Sequence, residues 1–136
     1  IFIFIIQHTM QERPVYLDLT KIRLPMSAFS SITHRLSGMY VFFITLPLML
    51  YMIDHSISSK ASFEKLIIEI TSISAFSIFI FLSIAIFWYH ILTGIRHLIM
   101  DFFHLGESLN GAYYSSIFTI VLWIATSLVF FGYLFL

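Results

Sequence analysis

The sequence predicts an all-α integral membrane protein that crosses the bilayer three times. Three observations carry this. Of the 136 residues, 60% are hydrophobic and only 10% charged, a balance too apolar for a soluble domain of this size. The apolar residues also gather into runs longer than the roughly 18 residues of a bilayer-crossing helix, where a buried core would have short ones. Finally, two segments rich in charged and small polar residues separate those runs.

The chain reads as a single membrane-anchor domain over residues 1–136, with an inner-side N-terminal segment over 1–30 and spans at about 31–53, 67–100 and 115–136. The leading IFIFII is too short to span and lacks the cationic start of a signal peptide. Met10 is a natural start for the segment after it, so the N-terminus is expected to be processed or numbered differently. Asp54, Lys60, Glu64 and Lys65 fall among serines between the first two spans, and Asp101, Glu107, Asn110, Gly106 and Gly111 between the last two. Both connections read as water-exposed loops. Arg13, Lys21, Arg23, Arg35 and Arg96 fall on one side and only Lys60 and Lys65 on the other, which puts the N-terminus inside and the C-terminus outside.

Composition also excludes chemistry. Without cysteine the chain can form no disulfide, zinc thiolate site or iron–sulfur ligation, so any metal must be held by histidine or carboxylate. A formal net charge of zero gives no basic surface for nucleic acid and no polybasic tail.

Ionisable groups at membrane depth cost at least about 2.5 kcal/mol each and mark a function or a satisfied interior. Two clusters stand out. The first leads into the first span, where Ser27, Ser31, His34, Arg35 and Gly38 share one helical face. Two readings are open for it: His34 and Arg35 as interfacial anchors, or a guanidinium with hydroxyl and imidazole neighbours clamping a carboxylate or carbonyl oxygen.

The second cluster lies late in the second span, where His90, Gly94, His97 and Asp101 follow i, i+4, i+7, i+11 and form one stripe. A lone intramembrane histidine is more often a helix-to-helix hydrogen-bonding residue than a metal ligand, but this one has company. Gly94 leaves room for a flat macrocycle or for another helix. His90 lies deep, whereas His97 and Asp101 approach the inner surface. Neutral imidazole is a good axial ligand for haem iron, and a porphyrin also needs cations for its propionates and an apolar wall. The phenylalanines, Trp88 and Tyr89 read as packing or lipid contact. His8, His55 and His104 fall in the N-terminal segment or the loops, where solvated or interfacial roles are expected.

Together with Arg13-Pro14-x-x-Leu17-Asp18-Leu19, the segments S-x-x-HR-x-SG at Ser31–Gly38 and H-x-x-x-GIRH-x-x-x-D at His90–Asp101 closely resemble the cytochrome b membrane-anchor subunits of succinate dehydrogenase, respiratory complex II. The motifs occur in the family's order and cover roughly residues 12–136. The resemblance implies half of a heterodimeric helical bundle in an inner membrane, either the bacterial cytoplasmic or the mitochondrial inner membrane. A second membrane-anchor subunit would complete the bundle, and an iron–sulfur subunit and a flavoprotein subunit would sit on the inner face. It further implies His90 as an axial ligand of haem b, with the second axial histidine from the partner anchor, and His34, Arg35 and His97 as haem surroundings. Ser31 and Arg35 are implied as contacts of ubiquinone. A fumarate reductase-type anchor shares this architecture, and a purely structural anchor without cofactor is the reading from a different class. In either case the chain has no Gly-rich dinucleotide fingerprint and no soluble domain with which to oxidise a dicarboxylate itself.

Overall fold

The computed structural model describes residues 24–104, 106 and 108–136. The RP-x-x-LDL motif, Lys21, Arg23, His8, Glu107 and most of the 1–30 segment lie outside the described residues. The described part is built from four helices, α1 (Met26–Ser58), α2 (Lys60–Thr71), α3 (Ala75–Phe103) and α4 (Leu109–Phe135). Of these, α1, α3 and α4 are long and apolar enough to cross a membrane, and the chain is an all-α integral membrane protein.

Pro47 shapes α1. Its ring lacks an N–H and would clash with the carbonyl of Phe43 in a regular α-helix. The chain absorbs this in a π-turn over Val41–Thr45, where the Leu46 N–H reaches back five residues to the Val41 carbonyl. The helix continues through Leu46–Ser58 without a break in the span.

The apolar run expected as one span from 67 is divided. Residues 60–71 form the separate helix α2, and α3 begins only at Ala75. Serine makes the division. Ser72 and Ser74 adopt extended backbone, and Ser74 and Ser77 exchange side-chain-to-backbone hydrogen bonds in a capping box that starts α3. Serine lowers hydropathy little, so the apolar run hides the break. The first connection, expected as a loop, is mostly helical, because Ser59 accepts from the Ser62 N–H and caps α2. The Lys60–Glu64 and Lys65–Glu69 pairs at 3.8 Å are exposed i,i+4 contacts worth at most about 0.5 kcal/mol each.

The turn from α3 to α4 is tight. His104 has φ +52° and Gly106 φ +79°, both left-handed. A Cβ on Gly111 would stand 2.8 Å from the Gly106 Cα and 2.9 Å from Ser108 Oγ, so the first turn of α4 has no room for a side chain there. Ser108 caps α4 by accepting from the Gly111 N–H at 3.1 Å.

α3 is the centre of the bundle, packed against α1, α2 and α4. It contributes half of the buried residues among those described: Ser77, Ile80, Ser83, Ala85, Tyr89, Thr93 and Arg96. Because α1 and α3 run antiparallel, the start of α1 meets the second half of α3. Both polar sequence clusters therefore come together at one end of the bundle.

Three crossings place the connection between α1 and α3 on the same side as the C-terminus, and the turn between α3 and α4 on the other. Reporters inserted at Ser72 and after Leu136 are expected on one side of the membrane, and a reporter at Gly106 on the opposite side. Protease or alkaline phosphatase readouts placing Gly106 and Leu136 on the same side would overturn the three-span arrangement.

Candidate functional site

Three histidines meet where α1 faces α3. The rings of His34 and His90 stack at 4.4 Å between centroids with planes only 11° apart, and His97 lies tilted against His34 at 5.2 Å. Spacing along each helix brings them together. His90 and His97 lie on one face of α3, two turns apart, and His34 enters from α1 beside them.

The approach of the helices depends on glycine at two points. A Cβ on Gly38 would stand 3.0 Å from His90 Cε1, and one on Gly94 3.4 Å from His34 Nε2. Each glycine thus lies against the imidazole carried by the opposite helix, and at Gly38 the contact is close enough to exclude a side chain without ring movement.

The His90 ring is held by two oxygens. Its Nδ1 lies 3.2 Å from the carbonyl oxygen of His34 and 3.1 Å from Ser37 Oγ. Ser37 in turn donates its hydroxyl hydrogen to the same His34 carbonyl at 2.7 Å. A carbonyl can only accept, and the hydroxyl has already spent its one hydrogen, so both oxygens require the proton on Nδ1. Nε2 is then left with its lone pair, the form in which a neutral imidazole ligates a metal. Among the described residues, no three histidine or carboxylate side chains converge to hold a bare ion. One imidazole suits an iron whose equatorial positions a macrocycle already fills.

Around this core lies a seam of hydroxyls. Thr33 Oγ1 and the Tyr89 hydroxyl share a hydrogen bond at 2.6 Å, and one turn or two further in the Tyr40 hydroxyl meets Ser83 Oγ at 3.1 Å. Tyr89 also packs edge-on to Trp123 of α4, whose indole N–H donates to the Ala85 carbonyl at 2.8 Å. An apolar cavity of about 420 Å³ opens beside these groups, lined by Phe29, Leu36, Tyr40, Ile86, Ile120 and Trp123 among others.

The remaining residues singled out by sequence are distributed differently. Arg35 is exposed, close enough to His97 for its charge to act on that ring, and Ser31, one turn before it, is half-buried. The face expected to join them to His34 and Gly38 is therefore unevenly buried: His34 and Gly38 meet α3, while Arg35 stays exposed beside it. Asp101 is exposed. Arg96 is buried at 6% exposure, donating from Nε to Ser115 Oγ and from Nη2 to the Ala112 carbonyl, each at 3.0 Å. Its guanidinium ties α3 to the opening turns of α4.

Sequence reasoning passed over Ser37, Thr33 and the hydroxyl of Tyr89. The signal for Ser37 was its position one turn beyond His34. For Tyr89 it was the general need of a buried phenol for a partner, which packing alone does not meet. Trp88 likewise does more than pack, donating to Thr126 Oγ1 at 2.9 Å.

Residues 9–130 match the family described as the succinate dehydrogenase/fumarate reductase transmembrane subunit. The sequence is also 41% identical over 92 residues to the succinate dehydrogenase cytochrome b556 subunit of Coxiella burnetii (strain RSA 493 / Nine Mile phase I), a match covering 66% of this chain and 71% of that relative.

The contact at Gly38 makes a graded expectation. Gly38→Ala asks the His90 ring to give by a few tenths of an ångström, whereas Gly38→Val overpacks the contact and is expected to destabilise the bundle by about 1–3 kcal/mol. Thermal unfolding in detergent measures this, and equal stability of the valine variant and the parent would contradict the close approach.

Proposed function

The chain belongs to the succinate dehydrogenase/fumarate reductase transmembrane subunit family, and from that premise we propose that it anchors a succinate:quinone oxidoreductase, shares a haem b with a partner anchor, and helps form the site of ubiquinone reduction. The observation that carries the reading is the commitment of His90 Nδ1 to the His34 carbonyl and the Ser37 hydroxyl. This leaves Nε2 free to ligate. The cytochrome b in the name of the Coxiella relative supports the same group.

In this reading the residues fit a haem b. His90 would supply one axial ligand, and His34, His97 and Arg35 would surround the ring's edge. The second axial histidine would come from the partner anchor, since His97 lies on the same helix face as His90 and cannot reach the opposite side of one ring. When bound, a haem would supply a one-electron store.

Ser31 and Arg35 are assigned to the quinone. The hydroxyl and the guanidinium would donate hydrogen bonds to a carbonyl oxygen and stabilise the negative charge that develops on it during reduction. The exposure of Arg35 suits a ligand bound between this chain and its neighbours. Electrons must come from partners, an iron–sulfur subunit fed by a flavoprotein subunit, because the chain has no cysteine to hold a cluster. The surplus of Lys and Arg on the N-terminal side supports an inner-membrane orientation with the N-terminus inside and the soluble partners against that face.

Two variants test the two halves of the proposal in the purified complex. Arg35→Ala is expected to lower quinone-linked turnover roughly a hundredfold or more, while succinate oxidation with an artificial dye acceptor persists. Equal loss of both activities would mean that Arg35 holds the assembly together instead. His90→Ala is expected to abolish the low-spin b-type spectrum, which the chain expressed without its partner should also fail to show. A normal low-spin spectrum in either sample would refute the shared ligation.

A further inference from the structure

Ser37 has no part in the assignment drawn from the family motifs beyond its place in them, yet it is the side chain in closest polar contact with His90. It is buried at 7% exposure, three residues beyond His34 on α1. Its hydroxyl is fully determined: the hydrogen goes to the His34 carbonyl at 2.7 Å, and a lone pair faces His90 Nδ1 at 3.1 Å. The carbonyl lies at 3.2 Å from the same nitrogen. Two acceptors thus share one N–H, and one of them also polarises the other through its own hydrogen bond. Gly38, the next residue, leaves space for the same ring, since a Cβ there would stand 3.0 Å from Cε1. The two oxygens at Nδ1 limit rotation of the imidazole about its own axis.

We propose that Ser37 is a positioning residue for His90, fixing the plane of its imidazole and strengthening it as an electron donor to a metal at Nε2. The inference rests on the haem reading above. An acceptor drawing on Nδ1–H adds negative character to the ring, and a more basic imidazole favours the oxidised over the reduced iron. Loss of the hydroxyl therefore raises the midpoint potential of the iron. The ring, held then by one acceptor only, is freer to turn relative to the second axial ligand.

The experiment uses the assembled complex and compares the parent, Ser37→Ala, Ser37→Thr and His90→Ala by redox titration of the haem absorbance and by low-temperature EPR of the oxidised iron. Ser37→Ala is expected to raise the midpoint potential by up to about 59 mV, the equivalent of a tenfold change in the one-electron equilibrium, and to shift the largest g-value, which reports the angle between the axial imidazole planes. Ser37→Thr keeps the hydroxyl and is expected to return both towards the parent. A purely packing role for Ser37 would give no such rescue. If His90→Ala loses its low-spin signal while Ser37→Ala matches the parent in both readouts, the role of Ser37 is overturned and the ligation stands. If threonine fails to restore what alanine changes, the hydroxyl is not the agent and the proposal is likewise overturned. If His90→Ala keeps its low-spin haem, the ligation itself falls and the inference about Ser37 falls with it.

Discussion

Hydrocarbon offers no hydrogen-bond partners, so a polar side chain that this bundle carries into the membrane is satisfied from within or costs free energy. That constraint explains why α1 and α3 meet along a polar seam. Thr33 pairs with Tyr89, Tyr40 with Ser83, and Ser37 and the His34 carbonyl with His90. Each cross-helix pair in a membrane contributes only about 0.6 kcal/mol on average, too little to hold the helices together alone. Their effect is on geometry. A slip of one residue between the two helices would strand three pairs at once, so the seam fixes the register that sets His34 against His90.

Close approach is the second requirement, and small side chains meet it. Gly38 and Gly94 lie at the histidine contact, and Ser30, Ser83, Thr93, Ser116 and Thr119 are buried in the bundle. Serine and threonine suit such positions because their hydroxyls can fold back onto the helix, as Ser83 does onto the Phe79 carbonyl and Thr93 onto the Tyr89 carbonyl. Those two give a near-backbone contact while keeping their hydroxyls paired. Arg96 secures the other side of α3. Its buried guanidinium ends on the Ala112 carbonyl and the Ser115 hydroxyl, so α4 is locked to the same central helix that carries His90 and His97.

The fold class was legible because hydropathy reports directly on the solvent a helix faces. Helix limits were less so, since caps and not hydropathy set them. The polar stretch at 54–58 and the residues from Asp101 to Phe103 are helical, with the Ser56 and Ser58 hydroxyls folded back onto the Ile53 and Asp54 carbonyls of the preceding turn, while Ser72 and Ser74 break an apolar run that hydropathy does not divide. In the candidate site, the i, i+4, i+7 stripe of α3 placed His90, Gly94 and His97 together, as helical periodicity alone can do. What periodicity could not supply was rotation: which part of the α1 face turns towards α3. Ser31, His34, Arg35 and Gly38 span about a third of the helix circumference, and the partner decides which edge is buried. On α1 the buried edge carries the serine at 37 and the glycine at 38, whose small size lets the helices come close at His90.

The same rotation sets the surroundings of the two residues assigned to the quinone. With His34 and Gly38 turned inward, Arg35 is left on the outer surface at the end of the bundle, and among the described residues it has neither a hydrogen bond nor an ion pair. A guanidinium on an outer helix surface can be accommodated by reaching to the headgroups or by an acceptor brought by another molecule. His34 poses a related question from inside. Its Nε2 is buried without a hydrogen-bond partner among the described residues, at a cost of about 1–3 kcal/mol. Two adjacent residues on one helix turn therefore present hydrogen-bonding capacity, one exposed and one buried, that the described helices do not use. A single lipid headgroup could answer the first but not the second, whereas groups arriving on both sides of the start of α1 would answer both. Under the proposed function, a haem edge beside the histidines and a quinone carbonyl at Arg35 would supply such groups.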